Sequence, residues 1–172
     1  MYLSSMSDIK LSLRELVELS IFASLTFAGK LAMGVIPNVH PVTLMLIVIT
    51  CMYGAKAFYT AFIYIGLEFC VYGFGIWSIS YIYVWPMVVC VVLLFKKNQS
   101  VAIWALIAAC HGFLFGAMCS IPYIFAGGVD AAISYWVAGI PYDLIHGISN
   151  GVLVYFGMMP LQKVLLSIKG RL

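Results

Sequence analysis

SIFASLTFAGKLA, residues 20–32, places small side chains at Ser20, Ser24, Ala28 and Ala32 within an apolar stretch. A spacing of four keeps these positions near one helical face. With its flanks the stretch runs from about residue 12 to 33, long enough for the roughly 20 residues that a bilayer crossing requires. Lipid tails solvate leucine as well as a neighbouring helix does. Membrane helices are therefore drawn together by close backbone approach and dispersion, which a smooth strip of small residues permits. The stretch predicts a membrane helix with one face kept for contact.

The rest of the chain has the same character. Of its 172 residues, 65% are hydrophobic and 9% charged, and the mean hydropathy is +1.10. A soluble domain of this size cannot hide so much apolar surface, so most of the chain is expected to have lipid as its solvent. The length allows about six crossings with short connections and no separate soluble domain. Continuous apolar runs without period-two alternation exclude a β-barrel. The expected fold is an all-α integral membrane protein, a single domain over 1–172 forming a compact six-helix bundle.

The net charge of +3 is informative through its distribution. Lys10 and Arg14 precede the first span, Lys56 lies between the second and third, and Lys96 and Lys97 lie between the fourth and fifth. Lys163, Lys169 and Arg171 follow the sixth, while Lys30 falls near the opposite side. Six crossings put all the clusters on one face, which the positive-inside rule makes cytoplasmic, together with both termini. The opening MYLSSMSDIK lacks a basic region, short apolar core and cleavage site, so no removable signal peptide is expected. Cys51, Cys70, Cys90, Cys110 and Cys119 fall in apolar segments without CxxC spacing and read as packing residues.

Helices are expected at about 12–33, 41–53, 56–72, 78–95, 100–120 and 130–164. Ser12 and Glu15 have capping-box spacing at the start of the first. Pro37-Asn38-Val39-His40-Pro41 makes a rigid outer turn, Gly54 ends the second helix, and Gly73-Phe74-Gly75 ends the third. Pro86, Pro141 and Pro160 are expected to kink their helices. The fifth helix repeats the small-residue spacing at Ala108, Gly112, Gly116 and Ser120. Residues 121–130, with Pro122 and Gly127-Gly128, read as an outer loop. The absence of an internal repeat argues against an inverted-repeat transporter.

Asp143, His146 and Asn150 form the sharpest polar feature, one stripe on the last helix. Ionisable groups inside membrane helices are costly and face protein or a wet cavity. Three readings stay open for them: hydrogen bonds that hold the bundle together, direct ligand contact, or a metal site suggested by the Asp-x-x-His spacing. Glu68 and His111 are further candidates for a polar interior. Aromatic residues concentrate around the outer loops, including Tyr72, Trp77 and Tyr81 near the third and Tyr123, Tyr135 and Trp136 near the fifth. An interfacial belt explains most of them, yet their asymmetry suggests an apolar-walled pocket with a few polar anchors. Asn38 and His40 on the first outer turn join the substrate-binding candidates. The chain has no P-loop, HExxH or GxSxG motif, so no ATP hydrolysis is expected from it.

The opening ELVELSIFASLTFAGKLAMGVIPNVHPVT and the closing GIPYDLIHGISNGVLVYFGMMPLQKVL resemble an energy-coupling factor (ECF) transporter S component. These are the substrate-binding subunits of bacterial vitamin importers. The resemblance covers nearly the whole chain. It implies a non-enzymatic, multi-pass protein of the bacterial cytoplasmic membrane that captures a vitamin outside and delivers it inward by toppling. Its implied partners are an EcfT-type transmembrane coupling subunit and two ATPase subunits. ATP and Mg would be used by those ATPases, and this chain would hold no cofactor. The strip Ser20, Ser24, Ala28 and Ala32 resembles the AxxxA-type face that contacts the coupling subunit, with serine standing where the family has alanine. The N-terminus does not read Met-His, as in nickel and cobalt members. The final segment is similar to cobalamin-type S components, which makes a corrinoid the first expectation, ahead of pantothenate, thiamine or a B6 compound. The alternatives are a small intramembrane metal-dependent enzyme using Asp143, His146, His111 and Glu68, or a proton-coupled carrier using Asp143 or Glu68.

Overall fold

A computed structural model describes residues 10–169. The opening segment 1–9 and Arg171 lie outside the described residues, so the leader and terminal-charge readings that involve them are not addressed by it. Among the described residues every regular element is helical: α1 Leu13–Ala32, α2 Val42–Tyr53, a 3-10 turn Gly54–Lys56, α3 Ala57–Tyr72, α4 Ile76–Leu94, α5 Val101–Phe113 and α6 Phe115–Lys169. Three helical stretches, Val42–Tyr72, Ile76–Leu94 and Val101–Ile168, are long and apolar enough to cross a membrane. Large apolar side chains cover the outside of the bundle, with Leu106 63%, Phe156 71% and Leu94 80% exposed. That surface suits lipid rather than water.

α1 falls outside those three stretches because Arg14, Glu15, Glu18 and Lys30 interrupt it. The fold compensates each charge. Ser12 and Glu15 form the expected capping box. Glu18, 2% exposed, accepts from Arg14 Nε at 2.9 Å and from the Tyr53 hydroxyl at 2.6 Å. Lys56 Nζ reaches Glu15 at 2.7 Å, and Lys30 pairs with Glu68.

These contacts also fix direction. Glu15 meets Lys56, Leu19 accepts from Thr60, and Lys30 meets Glu68, so α1 and α3 run parallel. α2 runs back antiparallel to both, from Pro41 beside Gly29 to Tyr53 beside Glu18. The reversal falls at Gly54, whose φ of 59° favours glycine. Every residue of α2 is buried, which identifies it as the central helix.

The C-terminal half differs from the expected helix–loop–helix. α5 breaks at Leu114, and residues 121–127 are helical rather than looped. Backbone turns non-helical only at Gly128 (φ 83°), where the chain doubles back: Gly112 lies against Gly147, Gly116 against Asp143, and Tyr123 stacks on Tyr135. The arms 115–127 and 129–169 are thus a tight antiparallel hairpin. Pro122 fits the first arm because the carbonyl its missing N–H would have engaged, Met118, instead accepts from the Tyr83 hydroxyl at 2.6 Å. The second arm stays helical to Lys169 and carries Pro141 and Pro160 within it, each removing one intrahelical hydrogen bond.

Candidate functional site

The segment between α1 and α2 roofs a cavity of about 610 Å³, bounded by Lys30, residues 34–40 of that segment, Tyr72, Tyr81 and Phe115. The roof is tied down. Asn38 holds a left-handed φ of 59°, donates from Nδ2 to the Tyr142 carbonyl at 3.2 Å, and accepts the Ser149 hydroxyl on its own carbonyl at 3.0 Å. Asparagine tolerates this conformation better than most side chains.

Below His40 and Phe115 lies a layer of rings drawn from α3, α4, α5 and α6, in which Tyr64 of α3 meets Trp85 edge-on at 5.6 Å. His40 sits 4.9 Å from His146 and 6.0 Å from Trp85, centroid to centroid. Phe115 packs at 4.8 Å on His146 and 5.4 Å on Trp85, and His111 lies 5.8 Å from Trp85. Most polar atoms here lack a protein partner. Both ring nitrogens of His146, Nδ1 of His40 and His111, Nε1 of Trp85 and both amide atoms of Asn150 are buried without a hydrogen bond. His111 Nε2 reaches the Val84 carbonyl at 3.3 Å. Each orphaned buried group costs on the order of 1–3 kcal/mol. His40, on the segment outside the helices, is held neutral: burial, with a contribution from the Lys30 charge, pushes its imidazole down to about 4.

A second cavity of about 410 Å³ adjoins the first through Lys30, Tyr72 and Tyr81, and adds Glu68 and Trp77. Lys30 Nζ pairs with Glu68 Oε2 at 2.5 Å and lies 5.1 Å over the Tyr72 ring and 5.8 Å over that of Tyr81. Glu68 Oε1 is buried and unpartnered.

The sequence-derived candidates therefore separate. His40, Glu68, Tyr72, Trp77 and Tyr81 line the cavities, and His146 and Asn150 sit beneath them. Asn38 ties the roof. Asp143 lines neither cavity; it accepts the Gly116 N–H on Oδ1 at 2.9 Å, in the first turn after the Leu114 break, and its Oδ2 is buried without a hydrogen bond. Tyr123 and Tyr135 stack at 4.2 Å near the Gly128 reversal, and Trp136 is 42% exposed; none of the three lines either cavity. Lys30, Trp85 and Tyr64 were not among the candidates. Lys30 carried a signal, an isolated cation in an apolar helix, whereas Trp85 and Tyr64 look like ordinary packing aromatics until their neighbours are known.

On α1, Ser20 is half-buried and Ser24, Ala28 and Ala32 are exposed along one outward face among the described residues. Ser20, Ser24 and Ala28 line a shallow groove with Leu16, Val17, Ile21 and Leu25. The two hydroxyls bond back to the carbonyls of Leu16 and Ser20, so neither projects an unmet polar group. Comparisons with protein families, with curated proteins and with solved structures find no match for this chain.

Proposed function

We propose that this chain is the substrate-capturing S component of an ECF-type importer of the bacterial cytoplasmic membrane. It takes a vitamin from outside and delivers it inward after docking on a transmembrane coupling subunit driven by two ATPases. The observation that carries this reading is the roofed cavity standing over a layer of buried polar atoms that no protein group satisfies. Such a layer suits a small ligand with several hydrogen-bonding groups and planar apolar faces. The outward small-residue face of α1 supports docking. A corrinoid stands first among the ligands on the resemblance of the final segment, 139–165 (GIPYDLIHGISNGVLVYFGMMPLQKVL), ahead of pantothenate, thiamine or a B6 compound.

Alternating helix directions support six crossings: α1, α2, α3, α4, α5 with arm 115–127, and arm 129–169. Lys10, Lys56, Lys96, Lys97 and Lys163 then share the cytoplasmic side. For the proton-carrier reading, Glu68 is paired with Lys30 and Asp143 accepts the Gly116 amide, each through one carboxylate oxygen. The metal-enzyme reading has no observation in its favour. Purification of the lone chain followed by mass spectrometry of retained small molecules tests capture, and a vitamin-class compound is the expected result. In liposomes, uphill uptake is expected only when the coupling and ATPase subunits are present; accumulation by the lone chain would overturn the proposal.

A further inference from the structure

We infer that Lys30, Glu68 and the rings around them form a subsite for an uncharged planar group that carries an N–H beside an acceptor atom. A carboxamide, a lactam or an aminopyrimidine edge has this form. The inference deepens the capture reading and rests on the outer cavity as a binding site, not on coupling to ATP.

The argument begins with what the pair leaves unused. Glu68 spends Oε2 on Lys30 and keeps Oε1 buried without a partner, in a side chain 1% exposed. Lys30 spends one of its three N–H donors on Glu68, and its side chain remains 20% exposed to the cavities. A fixed acceptor and a fixed donor therefore stand side by side. The complementary ligand edge offers a donor to Glu68 Oε1 and an acceptor to Lys30 Nζ.

Charge decides against ionic ligands. The pair sums to zero, with Glu68 removed from water and Lys30 largely so. An anion drawn to Lys30 competes with Glu68 for the ammonium and leaves a buried carboxylate short of its counter-charge. A cation drawn to Glu68 displaces Lys30 in the same way. Breaking a buried pair costs more than the new contact returns, whereas a neutral edge adds hydrogen bonds without disturbing it. Tyr72, Trp77 and Tyr81 supply the faces: Trp77 lies 5.0 Å from Tyr81 at 74°. Rings so arranged accept a flat group by stacking or edge contact.

Three probes of one shape test the assignment: benzamide, benzoate and benzamidine, titrated by ligand-observed NMR into the full chain in nanodiscs. Benzamide is expected to bind about tenfold tighter than either ion. Lys30→Met should turn the preference to benzamidine and Glu68→Gln should turn it to benzoate. The double variant Lys30→Met/Glu68→Met keeps the site neutral but removes the donor and the acceptor together, guards against misfolding of the single variants, and should bind benzamide about tenfold more weakly than the unaltered chain. Preference of the unaltered chain for either ion, equal binding of all three, binding of none, or unchanged benzamide affinity in the double variant would overturn the subsite. A chain that retains a vitamin-class compound on purification but fails these titrations loses the subsite and keeps the capture reading. One that ranks the probes as expected yet retains no such compound has the reverse outcome.

Discussion

Asp143 joins the two arms of the C-terminal hairpin. Its carboxylate reaches the Gly116 amide just past the Leu114 break, and a Cβ at position 116 would collide with the same carboxylate. Two consequences are measurable. Asp143→Ala should lower stability by about 1–3 kcal/mol, because it orphans a buried amide donor. Asp143→Asn retains an acceptor oxygen and should cost much less. Thermal unfolding in detergent, run beside ligand affinity, checks both, and the Asn variant is expected to keep its affinity. The stripe of Asp143, His146 and Asn150 was legible in the sequence through its helical spacing. Its division of labour was not, because that depends on Gly116 and Phe115 arriving from another arm. Lys30 presents the converse case. Its place in α1 was plain, but its partner lies 38 residues away on α3, a distance that no local pattern encodes.

Elements were more legible than contacts. Caps and breakers act locally, so the capping box at Ser12, the reversal at Gly54 and the end of α3 at Gly73 follow from residue type. The expected loop over 121–130 failed because Pro122 normally argues against helix, and the Tyr83 hydroxyl that answers for its lost bond sits on α4. Small residues on α5 and α6 are spent inside the protein: a Cβ at Gly112 would lie 2.6 Å from the Gly147 backbone. Those on α1 face outward. The two sets look alike in sequence and serve different contacts. Ser24→Leu combined with Ala28→Leu should therefore leave the fold and ligand binding intact while removing at least most ATP-driven uptake. Reconstituted transport and a thermal melt on the same preparation separate the effects, and unaltered uptake would remove the docking face.

At the scale of the whole molecule, composition alone announced a lipid-embedded helical bundle, and the apolar exterior agrees with it. The order of helices across the bundle was hidden, because it is set by pairings such as Glu18 with Tyr53. Alternating directions make a topology prediction. In intact cells, a membrane-impermeant thiol reagent should label Phe74→Cys, between α3 and α4, and spare Asn98→Cys, between α4 and α5, until the membrane is permeabilised. A cysteine-free background is needed because Cys70, Cys90 and Cys110 are exposed on the chain surface. Labelling of both positions, or of neither, would break the six-crossing arrangement.

Asn38 joins the beginning of the chain to its end. Through Tyr142 and Ser149 it fastens the roof to the very arm that bears His146 and Asn150. On the proposed capture reading, lifting the roof would tug on the floor, and a guest settling onto the floor would pull the roof down. Entry and grip are two ends of one drawstring, so a change that loosens the knot at Asn38 should quicken arrival and departure together.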